Sequence, residues 1–328
     1  MARNKVKKYE WFKYEIDKDN PKIAIWTFTR PKSLNTIPPY NLLPELREAA
    51  WTDDGTQVVI IKGEGRAFGA GYGYEGSEEL NKAIPTWEKL PVGWGASGKA
   101  PMMGDPNTPF DAHISDYLNT YALNYWRTFW EQENKFFIAQ VQGFCIAGSL
   151  ELALHSDVTY ASEDAWFGYP VTRIEGSLCS PLWYYCMGPK KVMEMMCTGG
   201  LINAADAYQW GMVNKVFPTY ADLDKGVKRL AKAVSLMTPR AIFNMKMQRR
   251  VLYMEMGYYS GAHIMGILGG VLHNNTTPEA REYFNLMIEK GPRAAYDFVN
   301  APFAWFDEEW KKARAKPIDT KQQKNKRK

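Results

Sequence analysis

The chain has 328 residues, 45% apolar and 23% charged, enough for one large domain or two modest ones around an ordinary hydrophobic core. No apolar run approaches the roughly 18 residues of a membrane span, and MARNKVKKYEWFK lacks the apolar stretch of a secretory signal, so a cytoplasmic protein is expected. The net charge of +5 is concentrated: residues 311–328 carry nine Lys/Arg against one Asp, leaving the remainder at −3, which reads as a solvated, disordered tail rather than a nucleic-acid surface.

In chain order, KIAIWTFT (22–29) predicts a strand, YNLLPELREAAW a helix despite Pro44, and TQVVIIKG (56–63) a buried β-branched strand. Residues 74–125, dense in Pro, Gly and Trp, are too long for an ordinary connection; Trp87 and Trp94 argue for a lid or pocket wall. FFIAQVQGF (136–144) predicts a third strand, LELALHS (150–156) a short buried helix and DVTYAS (157–162) a fourth strand. Strand, crossover and strand in repetition imply a mainly parallel α/β arrangement. Beyond residue 188 the pattern turns helical, with Met-rich faces suited to a core or a subunit interface. Cys145, Cys179, Cys186 and Cys197 form no CxxC pair and have no His at metal-ligand spacing, so buried thiols are expected and no metal.

GYGYEG (71–76) satisfies G-x-G-x-x-G, but RAF separates it from its strand and no second strand follows where a dinucleotide fold requires one. RAFGAGYG and CIAGSLE together offer another reading. In each, a strand ends in glycines that let main-chain N–H groups point outward, and two such groups converging on one point make an oxyanion hole. A helix starting near Ser149 adds its dipole, and Glu151 stands one turn along it, in reach of what the hole holds.

These pieces resemble the crotonase (enoyl-CoA hydratase/isomerase) superfamily over about residues 20–303. TRPKSLNT matches the family's NRPxxLNA, RAFGAGYG its AFxAGxD, VQGFCIAGSLELALHSD its VNGxxxGGGxELAxxCD, AWFGYPVTRIEG its AxFGxPE stretch, and TGGLINAADAYQWGMVNKVFP its TGxxxxAxxAxxxGLVxxVxP. IEKGPRAAYDFVNAPF approximates the C-terminal segment. The FGYPxxR form and the long aromatic insertion resemble one branch of that family. The resemblance implies an α/β spiral of ββα turns over residues 1–218, with 74–125 inserted, a helical trimerisation region over 219–310 and the basic tail over 311–328. It also implies an acyl-CoA thioester as substrate, coenzyme A entering only as part of it, no tightly bound cofactor, and a homotrimer or hexamer.

By motif position, the backbone N–H groups of Tyr72 and Gly148 would be the oxyanion donors and Glu151 a catalytic carboxylate. Lys32, Leu34, Thr36 and Ala70 would meet the CoA ester. Two structural roles compete for Glu151: an ion pair with Arg173, which would lower its pKa, or a hydrogen bond with His155; unpaired burial would instead raise it toward neutrality. The second hydratase carboxylate should follow Pro170, where Val171 stands, and the AGxD aspartate is replaced by Gly73. Candidates for a replacement acid or base are Glu175, Asp111 and His113. Trp87 and Trp94, with Phe110 and Tyr117, suit a bulky or cyclic acyl group. Hydration or dehydration of an enoyl-CoA leads the functional readings; double-bond isomerisation, CoA-ester hydrolysis or C–C cleavage, and a catalytically silent binding or assembly protein remain alternatives.

Overall fold

The computed structural model describes residues 7–9, 11–37, 42–71, 128–174, 176–178, 180–274, 277–308 and 312. The predicted insertion, the tail beyond 312 and Cys179 fall outside them.

Eleven strands among the described residues form two sheets. They are β1 (Lys7–Lys8), β2 (Phe12–Ile16), β3 (Ile23–Phe28), β4 (Val58–Gly63), β5 (Ala67–Gly69), β6 (Phe136–Val141), β7 (Phe144–Ile146), β8 (Val158–Ser162), β9 (Trp166–Gly168), β10 (Leu201–Asn203) and β11 (Lys215–Phe217). The larger sheet runs β1-β2-β3-β4-β6-β8-β11, the smaller β10-β9-β7-β5. β3, β4, β6, β8 and β11 are mutually parallel, β1 and β2 antiparallel at the edge. β4, β6 and β8 are each followed by a three-residue strand of the smaller sheet, so the chain advances as a spiral of strand pairs. The predicted strand 136–144 is therefore two strands, broken at Gln142–Gly143, where Gly143 takes φ +56° and its Cα faces the Arg66 carbonyl too closely for any side chain.

The helices are α1 (Leu42–Trp51), α2 (Gly148–His155), α3 (Leu182–Met187), α4 (Pro189–Thr198), α5 (Ala204–Trp210), α6 (Tyr220–Ser235), α7 (Pro239–Glu255), α8 (Tyr258–Asn274), α9 (Pro278–Lys290) and α10 (Pro292–Asn300). α6 starts with a Thr219 hydroxyl accepting from the Asp222 N–H at 3.1 Å, and α7 with Thr238 accepting from Ala241 at 3.3 Å, both side-chain N-caps. None of the described helices is long and apolar enough to cross a membrane.

The larger sheet is covered on both faces, which is why its strands read as continuous apolar runs. Ile23, Val58, Ile60 and Ile138 pack with Leu223, Val227 and Ala231 of α6. Ala24, Trp26, Phe28, Val59, Ile61, Phe137, Ala139 and Val141 point the other way into the main core, with α2 buried along its whole length. Each fully buried Val or Ile contributes about 1.5–3 kcal/mol, so the alternation fixes the register of every strand. Of the three described cysteines, Cys145 is buried as expected, Cys186 is half-buried and Cys197, on an outward face of α4, is exposed.

Candidate active site

Three stretches meet around the start of α2. The first is the turn Pro31–Ile37, in which Leu34 and Asn35 take φ +57° and +55°. Buried Asn35 donates through Nδ2 to the carbonyls of Glu64 and Ala67, at 2.9 and 2.8 Å, a local polar closure that stabilises a left-handed pair. The second stretch, Gly69–Gly71, lies alongside: the Ala70 N–H donates to Leu34 O at 3.0 Å and the Ile37 N–H to Gly71 O at 2.9 Å. The third is β7 running into α2. Gly71 N–H donates to Ser149 Oγ at 3.1 Å, and a Cβ on Gly71 would sit 2.6 Å from Ala147 Cβ and 3.4 Å from Gly148 N. The end of one glycine turn is thus set against the start of the other.

α2 begins at Gly148, two residues earlier than its periodicity predicts. Ala147 precedes it with φ +51°, ψ −129°; its carbonyl accepts from Leu150 and Glu151, at 2.9 and 3.1 Å, and its N–H donates to Gly168 O of β9 at 3.0 Å. The positive end of the helix dipole is thereby held at Gly148 by both neighbouring strands of the smaller sheet.

Glu151 is 0% exposed. The indole Nε1–H of Trp183 in α3, also 0% exposed, donates to its Oε1 at 2.7 Å. Its Oε2 lies 4.0 Å from His155 Nδ1. Because a carbonyl only accepts, the 2.8 Å contact of His155 Nδ1 with the Glu151 carbonyl places the ring proton on Nδ1, and Nε2 accepts from the Tyr258 hydroxyl at 2.8 Å. Burial pushes the His155 pKa down to about 4, so the imidazole is neutral and forms no ion pair with the carboxylate at neutral pH. Arg173 is committed elsewhere: its guanidinium donates to both carboxylate oxygens of Asp307, at 2.6 and 2.8 Å, to Asn300 Oδ1 and to the Thr198 carbonyl. Of the two structural roles weighed for Glu151, the Arg173 pair is absent and the His155 contact is to the backbone.

Val171 lies in the single-turn helix Pro170–Ile174, half-buried, packed on the main core and on a small cluster of Ile174, Tyr283 and Ala295. Tyr169, two residues before it, meets Trp183 edge-on with ring centroids 5.3 Å apart. Lys32 is exposed on the first turn, and Thr36 bonds within it to Ser33 at 2.9 Å. Tyr72, Trp87, Trp94, Asp111, His113 and Glu175 lie outside the described residues. Among the described residues no three His, Cys, Asp or Glu side chains converge as metal ligands. A cavity of about 290 Å³ lies apart from all of these, between α6, α7 and the start of β6, lined by Val234, Ile242, Met245 and Lys246 among others.

Ser149 and Trp183 were not anticipated from sequence. Ser149 stands within the motif, and its hydroxyl near a helix start was a signal that could have been used. For Trp183 the signal is weaker: a buried carboxylate demands donors, and an indole N–H is one.

The family model for enoyl-CoA hydratase/isomerase matches residues 115–254. A protein named as an enoyl-CoA hydratase, EchA13 of Mycobacterium tuberculosis, is 32% identical over 219 residues, 65% of this chain and 65% of that protein, so the chain spans a little under two thirds of that relative. A peroxisomal Delta(3,5)-Delta(2,4)-dienoyl-CoA isomerase of Arabidopsis thaliana is 30% identical over 121 residues, 35% of this chain and 43% of that one. Among solved structures, an enoyl-CoA hydratase of Mycobacterium smegmatis superposes with a TM-score of 0.72 at 23% identity, over 90% of this chain and 95% of the other, a likeness of fold. The two-sheet spiral, the paired glycine turns and these relatives together support membership of the enoyl-CoA hydratase/isomerase, or crotonase, superfamily.

Proposed function

We propose that the protein is an acyl-CoA enzyme that stabilises a thioester enolate between the backbone N–H groups of Gly148 and Tyr72 and moves the proton with Glu151. One observation carries the reading: a fully buried carboxylate, fixed by an indole N–H, stands one turn from a helix start that is packed against the Gly71 turn. A thioester oxygen at that helix start would meet positive partial charge that is already in place, and each such donor contributes on the order of 10²–10³ in rate. Glu151 would remove a proton from the carbon beside the thioester carbonyl, the charge would gather on the oxygen, and the same carboxylic acid would return a proton to carbon. In hydration, Glu151 takes a proton from the water that adds at the β-carbon and delivers it to the α-carbon; dehydration is the reverse, which makes the enzyme a lyase.

The acyl group we assign is bulky or cyclic, received by Trp87 and Trp94, with Lys32, Leu34, Thr36 and Ala70 toward the CoA end. Exposed apolar residues along α7 and α8, including Met245, Leu252, Ile264 and Leu268, support assembly as a trimer or a pair of trimers. Val171 favours a second reading, double-bond isomerisation, because the position that bears the other carboxylate in hydratases is here an apolar side chain packed on apolar neighbours. One carboxylate suffices for that reaction, taking a proton from one carbon and returning it two carbons away.

A panel of linear, branched and cyclic enoyl-CoA esters, followed by absorbance of the conjugated thioester, tests the assignment. Glu151→Gln is expected to lower turnover by about 10³-fold or more while CoA-ester binding stays within a few-fold, since an amide of the same shape cannot shuttle the proton. Unchanged turnover would refute the role of Glu151.

A further inference from the structure

We propose that Trp183 is the positioning residue of the acid–base group: its indole N–H holds Glu151 in one orientation and in its ionised form. The proposal rests on the reading of Glu151 given above and goes beyond it by assigning a second side chain to the same step.

Trp183 and Glu151 are both buried, 2.7 Å apart through Nε1 and Oε1, and belong to different helices. The start of α3 is fixed by Ser180, whose hydroxyl accepts from the Leu182 N–H at 3.2 Å, and the Trp183 ring is braced edge-on by Tyr169. The indole is therefore set by the core, and it sets the carboxylate before any substrate arrives.

The chemistry of the partner decides what it can do. An indole N–H donates and never accepts, so Trp183 can neither take the Glu151 proton nor relay one. A donor to a carboxylate favours the charged form and opposes the pKa rise that burial imposes. His155 offers the carboxylate no proton, because its Nδ1 proton is committed to the Glu151 carbonyl. Glu151 thus begins each cycle as a base whose orientation the indole sets.

The test uses the full chain labelled with ¹⁵N in its indoles. The indole signal that disappears in Trp183→Phe should move with pH in the wild type and stay fixed in Glu151→Gln. With a substrate from the ester panel, Trp183→Phe should lower kcat about 10- to 100-fold with KM within about threefold, and should move the acidic limb of the kcat/KM profile up by about one pH unit, because the carboxylate has lost the donor that favoured its charge. A Trp183 signal indifferent to Glu151, or a pH profile that superimposes on the wild type, would overturn the proposal. If Trp183→Phe does not fold, Trp183→Tyr serves to assign the signal, and the comparison of wild type with Glu151→Gln still decides. If the wild type turns over no ester in the panel, the functional reading fails, while the indole titration still reports on the pairing.

Discussion

Ala147 adopts φ +51°, ψ −129°, a conformation open to glycine and strained for alanine, and it stands where the family motif has the first of three glycines. Its methyl group occupies the space that a Cβ on Gly71 would need, 2.6 Å away. Gly71 is itself at φ +82°, so Gly71→Ala carries both the backbone strain and the overpacking, together about 2–4 kcal/mol. Ala147→Gly removes the methyl that causes the overpacking. The double variant should therefore recover about 1 kcal/mol or more relative to the sum of the two single changes, measured as a coupling in urea unfolding; strictly additive effects would show that the two turns do not touch. Glu151 was legible as a site residue because a charge in an apolar run needs a reason. Trp183 was not, because 32 residues separate it from Glu151 and only the packing of α3 on α2 brings them together.

At the scale of the element, α2 is a helix of eight residues, all buried, which is far too short to be stable alone and owes its existence to its packing. Its C-terminal end is closed by His155, held between the Glu151 carbonyl and Tyr258 of α8, with Ser180 3.4 Å from both partners of that second contact. Burial keeps His155 neutral down to about pH 4, whereas in the unfolded chain it protonates near 6.5. Between those values the unfolded state binds the extra proton, so stability is complete above about pH 6.5 and is lost as pH falls toward 4. At pH 5 the loss from this one group is about 2 kcal/mol, a large share of a typical 5–15 kcal/mol. Urea midpoints at pH 7.5 and pH 5 should fall steeply in the wild type and less steeply in His155→Gln; equal slopes would show that His155 takes up its proton in the native state.

Across the whole molecule, the long parallel strands and the helices beyond residue 188 were readable because their patterns are local: a β-branched run for β4, an apolar run for β6, and helical spacing beyond residue 188. The edge hairpin β1–β2 and the three-residue strands β5, β7, β9 and β10 were not, since such short strands exist only through their partners. The clamp that ties α7 to the sheet was equally hidden. Asp157 accepts from Lys246 at 3.1 Å and from Arg249 at 2.5 Å, about ninety residues away along the chain, together with the Phe137 N–H at 2.7 Å. Motif order pointed to the family where periodicity could not, and from it came the candidate site around Gly148 and Glu151; Ser149 and Trp183, joined to that site by tertiary contacts, were not legible.

The most direct measurement is exchange of the α-protons of a saturated acyl-CoA in deuterium oxide, read by mass spectrometry. It isolates proton removal beside the thioester from any later addition, elimination or double-bond shift. Wild-type protein is expected to introduce deuterium at the α-carbon and Glu151→Gln to abolish that exchange while still binding the ester. Exchange at the wild-type rate in Glu151→Gln would contradict the assignment of Glu151 as the group that moves the proton.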